Sequence, residues 1–78
     1  MSKNSNLNPY EELANAIVLQ AVRDYRDAVK KLSRGRKNRD AQFTKDECLR
    51  FFRSKWFSLL TELDPEFLIR RLDEEVTA

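Results

Sequence analysis

The sequence predicts an all-α protein: a small bundle of three to four helices, with a long first helix and shorter helices packed against it. Three features lead to this reading. Apolar residues recur at spacings of three and four along most of the chain. No segment shows the strict alternation of a half-buried strand. One Gly and two Pro are present in 78 residues, so the residues that interrupt helices are scarce and the good helix formers are plentiful.

The first helix opens at Asn8-Pro9-Tyr10-Glu11. Asn8 can cap, Pro9 suits the first helical position because its missing N–H is not needed there, and Glu11 stands where a capping box requires it. Ala14, Val18, Ala21, Tyr25, Ala28 and Leu32 then form a stripe, widened by Leu13, Ile17, Val22 and Val29. Gly35 ends the run, and Lys30 and Lys31 fall in its last turns, where the helix dipole favours cations. The expected helix spans 9–33. Residues 1–8 are expected to form a disordered polar tail before a single helical domain over 9–78.

Residues 34–43 read as a polar, basic connection. Thr44-Lys45-Asp46-Glu47 makes a capping box for the second helix, with Phe43 placed to staple onto Cys48. Leu49, Phe52, Trp56, Leu59, Leu60 and Leu63 share one broad face. Ser54 has the chemistry to cap a new helix, so this segment is expected either to run through or to break near Arg53–Ser54. Asp64-Pro65-Glu66 starts the last helix, which buries Leu68, Ile69, Leu72 and Val76.

Composition narrows the function. With no His, the commonest general base near neutral pH is missing, and no catalytic residue is assigned. Cys48 is the one cysteine, so no internal disulfide is expected; with no base beside it, it reads as a small core residue. Asp24 and Asp27 are three apart, but Arg23 and Lys31 lie beside them, which describes a solvated helix face laced with ion pairs. No metal or cofactor is expected. Nor is a membrane span, since no apolar run approaches about 18 residues. The N-terminus lacks the apolar core of a signal peptide. A soluble, cytoplasmic, non-enzymatic protein is the expectation.

Charge is uneven. Residues 1–39 carry nine basic and four acidic side chains, and residues 40–78 carry six and nine. Lys30, Lys31, Arg34, Arg36, Lys37 and Arg39 make a basic run suited to phosphate contacts, though without interleaved aromatics. A helix-turn-helix over 54–76 is disfavoured because its second helix carries carboxylates at both ends. Phe51, Phe52, Trp56 and Phe57 point over more than half of a helix circumference. Phe52 and Trp56 are expected in the core, and Phe51 and Phe57 as partly exposed anchors for a partner.

Two segments, Ala16–Arg26 (AIVLQAVRDYR) and Cys48–Arg70 (CLRFFRSKWFSLLTELDPEFLIR), resemble small uncharacterised accessory proteins encoded by phages and integrative elements of Gram-positive bacteria. The resemblance carries no catalytic residues. It implies a setting: a protein-binding regulatory module whose partner is a larger host or phage protein, with inhibition of a defence nuclease as one version. There, Asp73, Glu74 and Glu75 would join Phe51 and Phe57 as partner-binding residues. Nucleic-acid binding through residues 30–39 is the alternative. A homodimer along the first helix, where Ala14, Ala21 and Ala28 would let another helix approach closely, is a further one, although those alanines equally suit accommodating the bulky aromatics of the second helix.

Overall fold

A computed structural model describes residues 8–35 and 37–77. Among these residues the chain forms four helices and no strand: α1 (Pro9–Leu32), α2 (Arg39–Phe52), α3 (Lys55–Leu60) and α4 (Pro65–Thr77). The long first helix and the shorter helices against it are as the sequence predicts. The expected tail, apart from Asn8, lies outside the described residues.

α1 begins with the expected capping box. The Glu11 N–H donates to Asn8 Oδ1 at 2.8 Å and the Asn8 N–H donates to Glu11 Oε1 at 3.1 Å. The helix ends at the Ser33 cap, and the chain leaves through Gly35 at φ +79°. That left-handed conformation is one a residue with a Cβ adopts reluctantly. Along α1 the residues from Pro9 to Leu13 are exposed, and burial begins in earnest at Val18.

The start of α2 differs from expectation. Asn38, not Thr44, is the cap; its side chain accepts from the Ala41 N–H at 2.9 Å. The basic connection is thus shorter than 34–43, and Phe43 and Thr44 stand inside the helix. The earlier start has a packing reason, because it brings Ala41 into burial against α1 beside Ala28. Two small residues facing each other let the helix axes approach closely, so Ala28 serves the contact between α1 and α2.

The segment after α2 does break. Ser54 caps α3, accepting from the Phe57 N–H at 3.1 Å while its hydroxyl donates to the Phe51 carbonyl at 2.6 Å. In an unbroken helix Phe52 and Trp56 would share a face, four residues apart. The break shifts the phase by one residue, so Phe57 turns inward at 1% exposed and Trp56 turns outward at 55%. The expectation is therefore reversed for both residues: Trp56 is not in the core, and Phe57 is no exposed anchor.

The core is Val18, Val22, Tyr25, Cys48, Phe52, Phe57, Ile69 and Leu72, drawn from all four helices. Tyr25, Phe52 and Phe57 are its fully buried large side chains. Phe52 meets Tyr25 and Phe57 edge-on, with centroids 5.8 and 5.6 Å apart, a favoured aromatic geometry. α4 starts where Asp64-Pro65 predicts, with the Glu66 N–H donating to Asp64 Oδ1 at 3.1 Å. It is tied to α1 by the Tyr25 hydroxyl, which donates to Asp73 Oδ1 at 2.6 Å, and by Arg26, which grips both oxygens of Glu75 at 2.9 and 3.0 Å.

Candidate functional site

Beside the core stripe of α1 runs a second one: Ile17, Gln20, Ala21 and Asp24, at i, i+3, i+4 and i+7. These residues share a helix face. On α2 the facing residues are Phe43, Thr44, Glu47, Cys48 and Phe51. Together, with Trp56 of α3 at one end, they line an open groove of about 400 Å³. Its surface is mostly apolar. Phe51 is its anchor in the fold, meeting Trp56 at 5.4 Å and Phe57 at 5.5 Å between centroids, both edge-on.

Both walls are joined to the core, the α1 wall through Ala21 and the α2 wall through Cys48 and Phe51. Phe43, 66% exposed, stands at the end away from Trp56. A second hollow lined by Glu47, Arg50, Phe51, Ser54 and Trp56 adjoins the first and shares Glu47, Phe51 and Trp56 with it. Two exposed aromatics on one apolar surface are the residues that most often anchor a protein partner.

The groove floor contains Cys48, whose thiol points to the Ala21 carbonyl at 3.6 Å. Burial first, then the fields of Asp24 and Glu47, push the thiol up to about 11. At neutral pH it is the protonated, weakly reactive form, in keeping with a packing residue. Asp24 accepts from Gln20 Nε2 at 2.9 Å, and Glu47 is paired with Arg50 one turn along α2. Among the described residues no group of three or more His, Cys, Asp or Glu side chains is arranged to hold a metal ion. Nor is any helix long and apolar enough to cross a membrane.

Phe51 is half-buried and lines the groove. Asp73 and Glu75 lie on α4, and both already have partners within the fold, Tyr25 and Arg26. Glu74 is exposed between them. The acidic trio is thus in part a clasp between α1 and α4. The Glu75 carboxyl is held below the usual range, first by the Arg26 hydrogen bonds and also by the nearby charges of Arg26, Lys30 and Arg71.

Among the described residues of the basic run, Lys30 and Lys31 turn to different partners. Lys31 pairs with Asp27 at 3.0 Å, whereas Lys30 acts on Glu75 on the α4 side. Arg34 and Lys37 are exposed in the connection, Arg39 opens α2, and Arg36 lies outside the described residues. A different cationic cluster emerges from the fold: Arg26, Lys30 and Arg71 around Glu75. Arg71 and Arg70 also lie over the Phe67 ring, 6.0 and 5.7 Å from its centroid.

The sequence reading missed Phe43 and Trp56 as exposed aromatics, and with them the groove. The stripe Ile17–Gln20–Ala21–Asp24 was the available signal for its α1 wall. The α2 wall depends on where that helix starts and ends. No family model, curated protein or solved structure matches the chain. A functional reading accordingly rests on the groove and the charged faces themselves.

Proposed function

We propose that this protein is a non-enzymatic docking module that binds another protein through the groove between α1 and α2. The observation that supports it is the exposure of Phe43 and Trp56 along one open apolar surface bordered by Ile17 and Phe51. Leaving such a surface uncovered is unfavourable in water, at about 25 cal/mol for each Å² of apolar area. A partner that covers it regains that free energy. The resemblance to accessory proteins of mobile elements is in keeping with a binding role. The nuclease-inhibitor version has weaker support, since Asp73 and Glu75 are engaged by Tyr25 and Arg26.

A random peptide library panned on the wild type and counter-selected on a Phe43→Glu/Trp56→Glu variant tests this reading. Both positions are exposed, so the variant should keep its helical circular dichroism. Clones that bind the wild type and not the variant are expected. Enrichment that never depends on these two residues would overturn the groove as the docking face.

One observation favours a second reading, nucleic-acid contact: the cluster Arg26, Lys30 and Arg71, with the guanidiniums of Arg70 and Arg71 over the Phe67 ring. An Arg-flanked aromatic offers a base both stacking and charge. Its mark would be duplex or single-strand binding at about 50 mM salt that collapses at about 200 mM and is lost on Arg70→Ala/Arg71→Ala.

A further inference from the structure

Resting on the docking reading above, we propose that the groove takes a cationic amphipathic helix of a partner protein. Its apolar stripe lies between Ile17, Phe43, Phe51 and Trp56, and its Lys or Arg side chains meet Asp24 and Glu47.

Length is the first argument. Ile17 to Asp24 is about 10 Å along α1 and Phe43 to Phe51 about 12 Å along α2, at about 1.5 Å per residue. Two to three turns of a third helix match that span. α1 and α2 form a helical hairpin whose other side is already layered by α4, held there by Tyr25–Asp73 and Arg26–Glu75. The groove is the side of the hairpin without a third layer, and a helix laid in it completes the bundle arrangement.

Charge is the second. Among the described residues lining the groove, the charged side chains are Asp24 and Glu47, one from each wall, and both are carboxylates. Arg50 pairs with Glu47 from the outer side, and Gln20 donates to Asp24, so neither carboxylate is saturated by a cation inside the groove. Both fields reach the Cys48 thiol on the floor. A phosphate chain or an anionic lipid surface would be repelled there, whereas a cationic side chain is attracted. A second copy of this chain also exposes apolar side chains, among them Tyr10, Leu59 and Phe67, and is told apart by its dependence on protein concentration.

Trp56 is the single tryptophan, so its fluorescence reports occupancy directly. The probes are a 14-residue helical Leu/Lys peptide and its Leu/Glu twin with the same apolar stripe, titrated at about 150 mM salt. The Leu/Lys peptide should shift the emission to the blue and bind at least about tenfold tighter than its twin. Asp24→Lys with Glu47→Lys should reverse the preference. Equal binding of both peptides overturns the charge argument and leaves the docking reading standing. If neither binds and library selection also ignores Phe43 and Trp56, both readings fall. A blue shift that grows with protein concentration alone would make a second copy the occupant and overturn the proposal.

Discussion

Two side chains show how single atoms set stability here. Tyr25 is fully buried, yet its hydroxyl reaches Asp73 at 2.6 Å. A hydrogen bond to a charged acceptor contributes about 1.5–3 kcal/mol, and Asp73 lies at the surface where water can replace it. Tyr25→Phe should therefore cost about 1–2 kcal/mol in urea unfolding while leaving the helical spectrum intact. Burial, and secondarily the Asp73 bond, hold the phenol well above its ordinary range, and burial raises the Cys48 thiol to about 11. Both groups keep their protons longer in the folded than in the unfolded chain. Their contribution is complete below the unfolded values and declines as pH rises through the window between unfolded and folded values. The urea midpoint should fall from about pH 9 upward, and Cys48→Ala should flatten the first part of that fall, up to pH 11. A midpoint rising with pH there would contradict the burial of both groups. At this scale the sequence was readable for Tyr25 as a core residue. Its partner Asp73, 48 positions away, was not, because nothing local encodes a contact made by tertiary packing.

Among the helices, starts marked by a cap and a following proline were legible. Asn8-Pro9 and Asp64-Pro65 both open helices where predicted, since cap chemistry and the fixed proline φ act locally. The start of α2 was not. Asn38 and Thr44 are both competent caps, and the choice between them is made by Ala41 packing beside Ala28 across the α1–α2 contact. Asn38→Ala should cost about 1 kcal/mol in thermal or urea unfolding, and Thr44→Ala much less, because Thr44 lies inside the helix. The reverse order of costs would place the start at Thr44. The break at Ser54 was open in the sequence for a similar reason. Its two hydrogen bonds, to Phe57 N–H and Phe51 C=O, compete with helix continuation, and the outcome depends on which aromatic the core accepts. That choice decided the candidate site, because it moved Trp56 out to the groove and Phe57 into the core.

In the whole molecule, α4 is held by apolar packing and by two bidentate pairs at the surface, Arg26–Glu75 to α1 and Arg53–Glu66 to the end of α2. Both glutamates are held below the usual carboxylate range, in each case chiefly by hydrogen bonds from the arginine. Groups with lowered values stabilise the fold above the unfolded value and lose that contribution as pH falls through the folded one. The urea midpoint should accordingly drop between about pH 5 and pH 3, and the drop should be shallower in an Arg26→Ala/Arg53→Ala variant. An acid limb unchanged by that variant would place the responsible carboxylates elsewhere. The all-helical architecture was legible in the sequence because it follows from periodicity and composition along the chain. The groove was not, because an uncovered face is defined only by where the other helices fail to lie. The exposed opening of α1, from Pro9 to Leu13, extends that point to motion. One continuous ladder of hydrogen bonds runs through α1, but its fully buried side chains begin at Val18, with Ala14 and Ile17 half-buried ahead of it. Its amide protons should divide accordingly under deuterium exchange: those in the opening turns released by local fraying, those around Tyr25 only when the entire domain opens. One helix by geometry should then open as two units, and the capping box at Asn8 guards the weaker of them.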